Sequence, residues 1–126
     1  MKLPEDDEAY LQEKGFTWEL LPDGNGAFLV VKGYATSNAK FDRASVDLMI
    51  RIPAGYPMGA LDMFYVDPPL KLASSAAYPP AAETFEEYAG RRWQRFSRHL
   101  NTPTAQWQPG VDNLRSFLTL VAKELR

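Results

Sequence analysis

The chain has 126 residues, of which 45% are hydrophobic and 24% charged, as expected for one compact domain spanning residues 1–126 rather than a disordered polymer. Fourteen basic against sixteen acidic side chains leave a net charge of −2, so no domain-wide positive field exists to hold a phosphate backbone, and nucleic acid is not an expected partner. The absence of cysteine excludes disulfides, thiolate metal sites and thiol nucleophiles, so that covalent catalysis would have to use another residue, and neither a metal nor another cofactor is expected.

The chain opens on the acidic run Glu5-Asp6-Asp7-Glu8 with no apolar stretch, unlike a signal peptide, and no later run approaches the length of a membrane span. The expectation is a cytoplasmic protein without membrane contact. Residues 4–14 predict a short helix, with Pro4 suited to the first turn, acidic side chains at its positive end, Gly15 as the stop, and Ala9, Tyr10 and Leu11 as its buried contacts. Thr17 to Leu21 predicts a strand, Asp23-Gly24-Asn25-Gly26 a hairpin turn, and Ala27 to Ala35 the returning strand.

After a polar loop at 36–43, Val46, Leu48, Ile50 and Ile52 alternate with Ser45, Asp47, Met49 and Arg51, the pattern of a strand with one buried face. Pro53-Ala54-Gly55-Tyr56-Pro57 breaks it, and Met63 to Val66 forms a short apolar strand closed by Asp67-Pro68-Pro69. These strands predict a four-stranded antiparallel meander in an α+β domain. Residues 70–82, rich in Ala, Ser and Pro, predict a surface excursion without regular structure, and Glu83 to Arg95 predicts a helix in which Glu87 and Arg91 are spaced for an ion pair. From Val111 onward, Val111, Leu114, Leu118, Val121 and Leu125 recur on one helical face, widened by Phe117 and Leu120 and approached through Trp107-Gln108-Pro109-Gly110.

This order, with the turn Ile52-Pro53-Ala54-Gly55-Tyr56-Pro57 and the later Trp107-Gln108-Pro109, resembles the ubiquitin-conjugating-enzyme fold. It is most similar to the bacterial branch called prokaryotic family E. The resemblance implies an N-terminal helix, a four-stranded meander, an irregular active-site segment and a C-terminal helix. It also implies that Tyr56, Pro57, Trp107 and Pro109 are structural motif residues. The reactive residue of such enzymes lies shortly before the Trp-x-Pro, where this chain reads Trp93-Gln94-Arg95-Phe96-Ser97-Arg98-His99-Leu100, so the resemblance assigns Ser97 to the place of the catalytic cysteine.

The chain departs from the eukaryotic pattern in several respects. The His-Pro-Asn tripeptide is absent, Ala60-Leu61 stands where a second proline pair is usual, one helix follows the Trp-x-Pro instead of three, and the nucleophile position carries no sulfur. Ser97 is read either as a natural serine or as a replacement for a cysteine. The partners implied are an adenylating enzyme, a ubiquitin-like protein and a JAB-type peptidase of the same operon, with antiphage defence or protein tagging as the setting.

A serine hydroxyl is a weak nucleophile unless a base or a pre-activated acyl donor assists it. His99 is the sole histidine, and on an extended segment it shares a face with Ser97, although positions i and i+2 lie roughly 6–7 Å apart along the backbone. The competing interpretation is a surface serine beside a histidine that pins the loop. Arg98, next to Ser97, and Asn101 are supporting candidates for holding an acyl tail or an oxyanion. Arg95 belongs to the same basic cluster, in which Arg91 and Arg92 read better as partners of nearby acids such as Glu83, Glu86 and Glu87.

Three functions follow. The first is a carrier that accepts a ubiquitin-like C-terminus on Ser97 and passes it to an acceptor. The second is a catalytically inactive binding module of the same fold. A serine hydrolase is disfavoured, because the sequence contains no Gly-x-Ser-x-Gly elbow and offers His99 no evident acid partner.

Overall fold

The structure is a computed structural model that describes residues 1–99 and 106–126. Helix α1 (Glu5–Glu13) leads into strands β1 (Thr17–Asp23), β2 (Gly26–Ala35), β3 (Ser45–Ile52), β4 (Phe64–Asp67), β5 (Thr84–Tyr88) and β6 (Arg91–Phe96), and helix α2 (Leu114–Leu125) follows. The six strands form one antiparallel sheet in the order β1-β2-β3-β4-β6-β5. Among the described residues no helix is long and apolar enough to cross a membrane.

The first four strands are the expected meander, but the segment expected to be helical is a β-hairpin, so the sheet gains two strands. Tyr88 pairs with Arg91 across a two-residue turn in which Ala89 and Gly90 both take positive φ, +52° and +73°, the backbone that matches the twist of a tight hairpin. The Gly90 that weakens a helix is the residue such a turn requires. Glu87 and Arg91 form no pair with each other. The Arg91 guanidinium reaches Asp67 at 2.8 Å and Asp47 at 3.0 Å, because cross-strand neighbours replace the helical spacing on which that pairing rested.

Both helices differ from expectation in which residues they bury. Val111 is 67% exposed and precedes α2, which begins at Leu114 after a capping box between Asn113 and Ser116; the two orphan N-terminal donors are satisfied there, so the helix starts at the cap. Its stripe of Leu114, Phe117, Leu118, Val121 and Leu125 is buried. In α1 the inward positions are Asp7, Tyr10 and Leu11, while Ala9 is exposed, since i, i+3 and i+4 share one helical face.

Both helices contribute to a core against one face of the sheet, where Leu29, Val31, Leu48, Ile50, Phe64, Val66 and Phe96 meet Leu11, Phe117 and Val121. The opposite face carries its own buried cluster of Phe28, Val30, Met49, Tyr65 and Trp93. Met49 is therefore as buried as its neighbours, and β3 is apolar on two faces rather than one. Gly26 begins β2 where a Cβ atom would lie 2.3 Å from the Ile52 carbonyl oxygen, an approach that only glycine permits.

The excursion at 70–82 has no strand or helix, but its ends are fixed. Gln94, fully buried on β6, accepts from the Leu70 amide at 2.7 Å and donates to the carbonyls of Leu70 at 3.0 Å and Ala82 at 2.8 Å. Replacement by an apolar side chain of similar size strands three buried backbone groups. Gln94→Leu is expected to lower stability by about 3 kcal/mol, measured by urea denaturation with a far-UV circular dichroism readout. A loss below about 0.5 kcal/mol would show that water replaces the amide without cost.

Candidate functional site

The connection from β3 to β4, residues 53–63, organises two clusters, one at each end. At its start the Tyr56 amide closes a turn onto the Pro53 carbonyl at 3.0 Å, and the Tyr56–Pro57 peptide is cis. The Tyr56 ring is buried, packs 6.3 Å from the Trp107 ring, and sends its hydroxyl to the buried carboxylate of Asp7. The Trp107 indole N–H donates to the Pro57 carbonyl at 2.9 Å. Tyr56, Pro57 and Trp107 thus meet in one joint, while Pro109 is exposed and forms an isolated bridge with Asp112 ahead of α2.

Asp7 completes that joint. Only 3% exposed, it accepts from the Tyr56 hydroxyl and from the backbone of Leu114 at the start of α2. Burial pushes its carboxyl above the ordinary carboxylate range, and the two hydrogen bonds offset part of that shift. Burial together with the adjacent Asp7 likewise keeps the Tyr56 hydroxyl protonated.

At the other end of the same connection stand Asp62 and Met63, and here the β4–β6 register decides which residues meet. Phe64 lies opposite Phe96, and since the strands are antiparallel, one step back on β4 and one step forward past β6 sets Met63 opposite Ser97. The half-buried Ser97 hydroxyl points at the Met63 sulfur, 3.5 Å away, a weak acceptor. Its backbone N–H donates to the Ala81 carbonyl at 3.1 Å, and Ala81 itself sits at φ +55°, an unfavourable conformation for alanine.

His99 Nδ1 is hydrogen-bonded to the Asp62 carboxylate. An acid partner for His99 therefore exists, on a segment 37 residues away that no local pattern connects to it. Asp62 and Met63 also line a cleft of about 250 Å³ walled by Arg51, Tyr65 and Pro53.

Arg98 points elsewhere. Its guanidinium binds Glu124 in the last turn of α2 at 3.0 Å and the Ser97 carbonyl at 3.2 Å, which ties the segment after β6 to the helix. Asn101 lies outside the described residues. The remaining arginines are occupied as well, Arg95 by Glu86 at 2.9 Å, Arg91 by Asp47 and Asp67, and Arg92 against the Phe85 ring at 4.1 Å. Of these only the Arg95–Glu86 pair uses an acid expected from the local sequence, because strand alternation sends neighbouring side chains to opposite faces.

Chemically, the site offers a hydroxyl just past the end of the internal strand β6, an imidazole two residues on that is held by a carboxylate, and an adjoining cleft. A family model described as Prokaryotic E2 family E matches residues 3–126. Comparison with curated proteins and with solved structures returns no match.

The raised carboxyl of Asp7 makes stability depend on pH. Its folded form favours the proton more than the unfolded chain does, so its contribution is full below the unfolded carboxylate range and is lost as pH rises through the folded value. Asp7→Asn keeps an oxygen to accept from Tyr56 and removes the charge. The variant is expected to melt above the wild type at neutral pH, with the advantage shrinking as the pH falls through the carboxylate range, measured by thermal melts across pH. A constant gap at every pH would mean that the charge of Asp7 is not what differs.

Proposed function

The chain belongs to prokaryotic E2 family E, and from that premise we propose that it is a bacterial carrier which accepts the activated C-terminus of a ubiquitin-like protein on Ser97 as an oxyester and transfers it to an acceptor. The observation that carries this reading is the convergence of Ser97 and the Asp62–His99 pair at the end of β6. An adenylating enzyme supplies an acyl-adenylate. The Ser97 oxygen attacks the acyl carbon, AMP departs, and the hydroxyl proton passes to a base, for which His99 is the candidate.

In the second half an acceptor amine attacks the ester carbon, the bond to the Ser97 oxygen breaks, and the proton lost by the amine returns to that oxygen by way of the same base. Were the serine to stand in place of a native cysteine, the same steps would run through a thioester. A JAB-type peptidase of the same operon is the proposed third partner, besides the adenylating enzyme and the ubiquitin-like protein.

One observation favours the non-catalytic reading, a binding module that recruits the ubiquitin-like protein without a bond. The Ser97 hydroxyl is hydrogen-bonded to a thioether sulfur, which draws no proton from it. Loading on Ser97 therefore requires the hydroxyl to rotate away from Met63.

Incubation of this chain with an adenylating enzyme, ATP and a ubiquitin-like protein of the same operon is expected to give a Ser97 adduct that survives thiol reductant and is released by hydroxylamine. Ser97→Ala is expected to abolish the adduct while shifting stability by less than about 0.5 kcal/mol, since the lost bond is weak. Ser97→Cys should give a thiol-labile adduct in its place. Tight binding of the ubiquitin-like protein with no adduct on intact protein selects the binding module.

A further inference from the structure

We infer that Asp62 is a positioning residue that locks His99 in the tautomer with the proton on Nδ1, leaving the Nε2 lone pair to take the proton exchanged at Ser97; the second clause rests on the carrier reading above.

Imidazole Nδ1 is hydrogen-bonded to the Asp62 carboxylate, which has no proton to give when ionised, so the ring nitrogen is the donor. In a neutral ring Nε2 then has no proton and is the acceptor. His99 and Asp62 are each about half exposed, with side-chain exposures of 44% and 53%, so burial does not force this pairing as a means of satisfying a stranded polar group. Nor does the pair stabilise the fold appreciably, because exposed ion pairs contribute little. A pair whose Asp62 lines the 250 Å³ cleft, with its His99 two residues from the hydroxyl that faces Met63, is better accounted for by orientation of the imidazole.

The register gives the arrangement its precision. Asp62 and Met63 are consecutive and stand just before β4, while Ser97 and His99 are two apart just beyond β6. The antiparallel step that sets Met63 against Ser97 carries Asp62 toward the residues following Ser97, within reach of the longer imidazole. Asp62 thus orients the candidate base two residues from the candidate nucleophile, the part a third residue plays beside a nucleophile and its base.

Because His99 is the only histidine, nitrogen-15 NMR of the intact protein reads its tautomer without assignment ambiguity. In alkaline buffer, where an imidazole is neutral, the wild type is expected to show a protonated Nδ1 and a bare Nε2. Asp62→Ala is expected to move the proton to Nε2, and Asp62→Glu to restore the wild-type pattern at least in part. Single-turnover transfer from the Ser97 adduct to an amine is expected to fall about 10- to 100-fold in Asp62→Ala, with an unchanged melting temperature and unchanged affinity for the ubiquitin-like protein.

A wild-type ring protonated on Nε2, or a tautomer that Asp62→Ala leaves alone, would overturn the inference. An Asp62-dependent tautomer with unaltered transfer would overturn the catalytic half of it. If the tautomer depends on Asp62 while no adduct forms even on the wild type, the pairing is upheld and the carrier reading fails instead.

Discussion

The buried amide of Gln94 is the constraint on which the arrangement of this chain turns. A side chain with two hydrogen-bonding ends is costly to bury unless each end is used, and Gln94 satisfies both by gripping Leu70 and Ala82, the two ends of the irregular excursion. That grip brings the chain back to the edge of β4 after an excursion with no ladder of its own. Strand β6 then pairs with β4 between Phe64–Phe96 and Val66–Gln94, the same stretch that contains the gripping residue. The hydrogen bonds of Gln94 and the register of β6 therefore reinforce each other, and the position of Ser97 against Met63 follows from both.

A second polar joint stands at the other end of the β3–β4 connection. Asp7 from α1, Tyr56 from the turn and the first residue of α2 share one buried carboxylate, and Trp107 caps the turn from above. The carboxylate at the positive end of α2 gains from the helix dipole, which offsets part of the cost of burying it. The connection at 53–63 is consequently anchored at Tyr56 and delivers Asp62 and Met63 from a fixed base, so a motif that looks purely structural bears on the geometry of the candidate site.

The two faces of the sheet are used differently. One is covered by α1 and α2 over a continuous apolar core. The other shields Trp93, Met49 and Tyr65 with the stems of arginines whose charges are met by Asp23, Asp47, Asp67 and Glu86, and Arg91 stacks on the Trp93 ring at 4.4 Å. Long basic side chains can cover apolar surface in this way while their heads stay paired in water. This explains why a cluster of arginines around the candidate nucleophile leaves only Arg98 adjoining it, and why Arg98 reaches the helix instead of the serine.

Local signals in the sequence determined the elements whose pattern is short-ranged: the opening helix, the first hairpin with its Asp-Gly-Asn-Gly turn, the alternation of β3, and the apolar stripe of α2. They also sufficed for the family resemblance, through Tyr56-Pro57 and Trp107-Gln108-Pro109. The segment 83–95 reads locally as a helix because its charges fit a helical spacing as well as a strand, and only pairing with β4 gives Gln94 and Trp93 their buried places on opposite faces. Tertiary structure alone decided that Asp7 is inward, that Arg91 binds Asp47 and Asp67, and that Asp62 meets His99. Each of these joins residues far apart in the chain through strand register or helix docking, and no spacing rule within a single segment encodes a distance between two segments.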